Sequence, residues 1–215
     1  MANTQIFKKV SVRMQKTLGS AKTITAISKA SEAVVTGTHD FSIGDFILIS
    51  GVVGMTEIND FVVRVKSVST TVSFVAEGID STLFTTYVSG GTATKITAFD
   101  SFDNVTSLSL PDSPPTELDA TTIHDTEKQV VFGLRDFPKG TMALLADPLS
   151  VASLNLAAAE EANERRAFVI TLISGYVGIF YAYVSGGAGM DGSGGGLATA
   201  NVSLTLRKKT QWFAS

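Results

Sequence analysis

Cysteine is missing from all 215 residues. Disulfides, thiol catalysis and thiolate metal sites are therefore excluded. Histidine occurs only at His39 and His124, too far apart in sequence to suggest a His-rich metal site. Charged side chains are few, at 17%, with 17 basic against 20 acidic residues. A near-neutral balance of that kind is not that of a dedicated nucleic-acid binder. No apolar run reaches the roughly 18 residues that a membrane-spanning helix needs, and no signal peptide is expected from the first residues. What the chain has in quantity is glycine, serine, threonine and valine, the composition of a β-rich structural or binding protein.

The few charges are unevenly placed. Residues 1–20 carry Lys8, Lys9, Arg13 and Lys16 and no acid, a net +4. Residues 97–148 carry nine acids against Lys128, Arg135 and Lys139, a net −6. Arg207, Lys208 and Lys209 stand together near the end. Such a layout fits a plain solvated surface, or else head-to-tail association between unlike patches.

The stretch 131–185 organises the pattern: strand, turn, strand, helix, strand, hairpin, strand. Asp147-Pro148 is expected to open the helix, Asp as N-cap and Pro in the first turn. The helix reads from Leu149 to about Glu164, with Leu149, Ala152, Leu156 and Ala159 as its apolar stripe. Arg165 and Arg166 suit its C-terminal end, and Glu160 and Glu161 read as a solvated face. Ser174-Gly175-Tyr176 fits a tight turn between strands 168–173 and 177–184.

Earlier in the chain, Val10, Val12 and Met14 alternate with polar neighbours as a first strand within 6–14. Residues 17–22 read as a polar break. From Thr23 to Lys95 short strands recur about every ten positions (24–27, 33–37, 46–50, 61–68, 72–76 and 92–96), which argues a small all-β module. The ends of this module, 21–24 and 93–96, could pair side by side, as an inserted domain requires. A strand at 105–110 then precedes Pro111–Glu127, with three prolines and five acids. That segment reads as a long functional or mobile loop. Residues 129–133 return to strand, seven glycines mark 186–196 as a flexible hairpin tip, and 198–206 form the last strand.

Chemistry-bearing patterns are sparse. The glycine run lacks the Gly-Lys-Ser/Thr ending and the following helix of a phosphate loop. His124, Asp125 and Glu127 lie on a proline-rich loop and read as surface. His39 before Asp40 reads as a turn residue. Trp212-Phe213 reads as a docking contact, because large apolar side chains near a terminus rarely stay bare. No catalytic constellation, metal site or cofactor site is expected, and the chain does not read as an enzyme.

Two resemblances follow from these segments. Ile24-Thr-Ala-Ile-Ser-Lys29, Ala33-Val-Val-Thr36, Gly54-Met-Thr-Glu-Ile-Asn59 and Thr86-Tyr-Val-Ser-Gly-Gly-Thr92 resemble the first catalytic cysteine half-domain of ubiquitin-activating enzymes, a small β-domain that recurs in phage structural proteins. The resemblance covers roughly 22–95 and carries no catalysis. Outside it, the first strand, the 96–108 segment, Asp119-Ala-Thr-Thr-Ile-His-Asp125, the helix after Asp147-Pro148, the 168–185 strands and Val202–Arg207 resemble the tail tube protein of long-tailed bacteriophages.

That resemblance implies a mainly β fold, a sandwich or barrel with one flanking helix. Its core would span residues 1–21 and 96–215, and an all-β decoration module would span 22–95. It implies six-membered rings stacked into a tube in the phage tail, made in the host cytoplasm. The partners would be other copies, the tape measure protein and the tail terminator. DNA would be passing cargo beside a neutral or acidic wall, and no membrane is implied. The inter-ring contacts expected are Asp112, Glu117, Leu118, Asp119, Ile123, Asp125 and Glu127 on the loop. Opposite them would stand Lys8, Lys9, Arg13, Lys16, Arg207, Lys208, Lys209, Trp212 and Phe213. A carbohydrate- or receptor-binding domain of a tail fibre or baseplate is the alternative, and a cluster of surface aromatics would favour it.

Overall fold

The computed structural model describes residues 8–187 and 189–214. Its elements are β1 (Ser11–Thr23), β2 (Ala26–Ile27), β3 (Val34–Thr36), β4 (Phe46–Val53), β5 (Phe61–Ser69), β6 (Ser73–Ala76), β7 (Ser89–Phe102) and β8 (Val105–Ser109). After these come β9 (Pro115–Asp119), β10 (Val130–Arg135), β11 (Lys139–Leu145), α1 (Val151–Glu161), β12 (Arg165–Thr171), β13 (Val177–Ser185), β14 (Thr199–Leu206) and β15 (Gln211–Phe213). The fold is mainly β with one helix, as the pattern predicts.

Val12 and Met14 are buried two positions apart, with Ser11 exposed before them and Arg13 half-buried between them, the period of a half-buried strand. Gln15 is buried as well, its side chain accepting from Ala167 N. The polar stretch 17–22 does not end that strand. It pairs with β7 as far as Thr23↔Thr92, with register shifts between Gln15 and Ala21. A partner strand supplies the backbone hydrogen bonds that weak local preference does not, and bulges absorb the mismatch. Residues 6 and 7 of the expected strand lie outside the described residues.

One antiparallel sheet of thirteen strands runs β2-β3-β6-β5-β4-β7-β1-β12-β13-β14-β11-β8, with β15 beside β13, and curls into a half-barrel. One face of it buries Met14, Met142, Leu144, Phe168, Ile170, Phe180 and Leu204, packed with Leu156 of α1. Phe168 and Phe180 are register partners, and their rings stack at 5.1 Å. Ala200, Val202, Leu204 and Leu206 share the buried face of β14, as the alternation predicts.

α1 buries Ala152, Leu156 and Ala159, three of the four stripe positions. Leu149 lies before the helix and is exposed. The N-cap is Ser150, whose hydroxyl accepts from Ser153 N, and not Asp147, which belongs to the preceding turn. At the other end Asn163 takes a positive φ of 50°. Glu164 N reaches Ala159 O and Asn163 N reaches Glu160 O, the paired bonds of a Schellman stop. The helix therefore ends before Arg165 and Arg166, which begin β12. Glu160 is not merely solvated, because its carboxylate accepts from Gly186 N at 2.8 Å.

Strands β2 to β6 and the first part of β7 enclose a second core around Val35, Ile47, Ile49, Met55, Ile58, Val63 and Phe74. His39 belongs to it: the ring is buried, stacks on Phe41 at 4.9 Å and accepts from Phe41 N. It is thus a packed residue and not a turn ornament. Lys22↔Ala93 and Ala21↔Thr94 set the expected module ends side by side. A third cluster joins the two halves, with Leu48 and Val62 packed against Ile96, Ala167, Val169, Ile179 and Phe213. β12 is therefore buried on both faces, and its Ala-Phe-Val-Ile run has no polar alternation for that reason.

Candidate self-assembly surface

The segment read as a mobile loop is for the most part a hairpin arm. β9 pairs with β10 in a two-stranded sheet of its own, with Val130↔Asp119, Val131↔Leu118 and Phe132↔Glu117 in register. Pro115 sits opposite Arg135 at the root. The register pairs place Val130 and Phe132 on one face beside Asp119 and Glu117, and the ladder is irregular between Phe132 and Arg135, around Leu134. Leu118 and Val131 lie on the other face. All of these apolar side chains are exposed, Leu134 to 90% and Ile123 at the tip to 95%. Isolated two-stranded ribbons are marginal in water, and this one leaves its apolar side chains open to solvent.

The tip has its own internal order. Asp119 accepts from the backbone N–H and hydroxyl of Thr121. Asp125 does the same for Thr122, and Thr121 Oγ1 accepts from Gln129 N. These bonds hold both carboxyls below their usual range, the Thr121 hydroxyl being the largest cause for Asp119 and the Thr122 amide for Asp125. Lys128 stands 3.7 Å from Asp119. Glu117 and Glu127 are exposed carboxylates that project from the arm.

The basic residues are distributed differently. Lys8 and Lys9 are exposed, Arg13 lies over the Phe99 ring at 5.3 Å, and Lys16 is paired with Asp100 at 3.0 Å. Lys209 meets Asp112 at 2.6 Å within the same chain, and that contact depresses the Asp112 carboxyl. Arg207 binds Asp60 at 3.0 Å and stacks on Phe137. Lys208 donates to Glu57 O and covers the Phe61 ring, and burial pushes its ammonium down. Phe213 is buried in the joint, whereas Trp212 remains half exposed over Gly178. The aromatic pair is split, one ring used internally and one presented.

Asp60 is the residue that sequence reading missed. It takes a positive φ of 66° after a short 3-10 turn and faces two cations, Arg165 at 2.9 Å and Arg207 at 3.0 Å. Arg165 in turn stacks on Tyr183. Arg64 binds Glu77, donates to Ala214 O and lies over Phe213. Asn59-Asp60 is legible as a turn, but nothing local says which arginines it meets.

Comparison with known proteins adds two findings. Residues 30–97 match the ubiquitin-activating enzyme E1 FCCH domain. Residues 79–193 match the family of lambda-like phage tail tube proteins, more than half of the chain. The chain belongs to that tail tube family. No curated protein matches it. The tail tube family is structural, and the FCCH likeness is to a non-catalytic domain.

Both matches of this tail tube chain include residues 79–97, which hold the first part of β7. β7 pairs with β4 inside the small β unit and with β1 beyond it, so one strand serves both. The tail tube match ends at Ser193 and includes the arm, α1, β12 and β13. No grouping of His, Asp and Glu suited to a metal occurs among the described residues. No described helix is long and apolar enough to cross a membrane. Tyr181 and Tyr183 sit beneath Arg165, so they do not form the open aromatic cluster that a sugar-binding face would need.

Proposed function

We propose that this chain is the wall subunit of a phage tail tube. Copies close into rings, six to a ring, and the rings stack into the conduit through which DNA leaves the virion. The arm is the observation that carries the reading. On a chain of this family, a hairpin with an internally hydrogen-bonded tip holds Leu118, Ile123, Phe132 and Leu134 in water, an arrangement that is stabilised when a neighbouring ring covers it. β8 supports lateral closure, because it ends the sheet with β11 as its one neighbour among the described strands, and such an edge can take a strand from the next subunit. The 22–95 unit is a decoration on the outer surface, since an insert of that size would obstruct the lumen. The tape measure and tail terminator are its other tail partners, and assembly takes place in the host cytoplasm.

Electron microscopy of concentrated protein tests this reading, with six-fold rings or tubes as the expected result. Replacing residues 116–134 by a Gly-Ser turn should leave a folded monomer that forms no tubes, because Pro115 and Arg135 are already neighbours. Tube growth at the wild-type rate by that variant, followed by light scattering, would show that the arm does not stack the rings.

A further inference from the structure

A cavity of about 190 Å³ opens at the root of the arm, with Leu110, Pro111, Pro138, Leu206 and Trp212 as its apolar walls. Lys209 and Asp112 stand at its rim, joined at 2.6 Å and both more than half exposed. A volume of about 150 Å³ is enough for a benzene ring, so this open cleft, whose polar side is Asp112, Lys209 and Thr210, has room for one phenyl side chain. Half-exposed tryptophan in such a setting is characteristic of an interface anchor.

On the arm, Phe132 is 65% exposed and stands directly opposite Glu117. Each arm thus presents an aromatic ring with a carboxylate beside it, and each root presents an open cleft with apolar walls and the Lys209–Asp112 pair at its rim. We infer that Phe132 of one copy inserts into the root cavity of the next, with Glu117 taking Lys209 from Asp112. This rests on the tube reading above. Within one chain the ring and the cavity are both open, so they meet between copies. Two unlike patches that join in this way repeat from copy to copy and build a filament.

Charge favours the root over the competing cavity, about 220 Å³ beside the start of α1. Each is lined by one aspartate, but the root also offers Lys209, whereas Asp147 stands in the other without a lining cation to receive Glu117. The exchanged ion pair is exposed and contributes little strength. The buried ring supplies affinity, and the charges select register.

The absence of cysteine gives a clean test in the full chain. Chains bearing Glu117→Cys and Lys209→Cys, mixed in equal amounts and oxidised with diamide, should form a disulfide heterodimer. The double variant should form a ladder of higher multimers. Phe132→Ala should raise the concentration needed for tube growth about tenfold or more while leaving the monomer melt unchanged, because the ring is exposed. Glu117→Lys should slow growth, and Lys209→Glu in the same chain should restore it. If wild-type tubes form but neither the heterodimer nor the Phe132→Ala effect is seen, the docking site is elsewhere and the tube reading stands. If wild-type protein forms no rings or tubes at any concentration and no crosslink appears, both fail.

Discussion

Trp212 is the residue at which local sterics and assembly meet. A Cβ at position 178 would come within 2.8 Å of the indole, so only glycine lets β15 lie flat on β13. Gly178→Ala should displace the ring and cost about 1–3 kcal/mol, the usual penalty of overpacking. Since Trp212 is the one tryptophan in the chain, its fluorescence reports the change directly. Asp60 is a second such point. Asp60→Ala strips two arginines of their partner and should cost about 1.5–3 kcal/mol, the range for hydrogen bonds to charged groups, read from a thermal melt. Asp119 and Asp125 are structural as well as charged, which makes Asp→Lys at either a poor probe of charge alone. Their carboxyls are depressed in the fold, so the stability they add is present above the ordinary aspartate value of 3.8 and is lost as pH falls through the lower folded values. The Thr121 and Thr122 amide resonances should therefore shift on acidification below that value while those of β12 stay in place.

At the scale of elements, α1 and the arm show opposite fates of apolar sequence. Leu156 is fully buried against the half-barrel, and Leu156→Ala should cost about 2–5 kcal/mol. Glu160→Ala loses the bond to Gly186 N and should cost about 0.5–1.5 kcal/mol, whereas Glu161→Ala should be nearly neutral. Equal melts for the two glutamate variants would count against that bond. The helix was legible because its stripe has the period of a helix packed on one side. The run Gln129-Val-Val-Phe-Gly133 was legible as strand, from its short apolar pattern. The structure leaves it outside, on both faces of a ribbon. Periodicity reports how many faces are apolar and does not say whether the cover comes from the same chain.

At the scale of the whole molecule, the adjacent ends of the 22–95 unit suggest that it could be cut out cleanly, but the joint opposes that. Replacing residues 23–92 by a Gly-Ser link would bare Ala167, Val169, Ile179 and Phe213 on the sheet and leave Arg165 and Arg207 without Asp60. Each uncovered valine or isoleucine forfeits about 1.5–3 kcal/mol. The excised chain should aggregate, and the intact chain should unfold in a single calorimetric transition. A soluble, monodisperse deletion product would show that the two halves are independent.

Strand content, the helix, the turn at Gly175 and the all-β character of the 22–95 stretch follow from residue spacing and composition, because each depends on a few neighbours in sequence. So does the prominence of the acidic segment, since prolines and carboxylates keep it out of a core. The tertiary structure alone decided that residues 17–22 are strand, that Arg207 and Lys208 face inward, and that Phe213 is buried while Trp212 is not. Each of those outcomes depends on a partner more than 70 positions away: β7 for β1, Asp60 and Glu57 for the basic tail, Val62 for Phe213. Long-range pairing sets the burial of such groups, and burial sets whether a charge or a ring works inside the chain or on its surface.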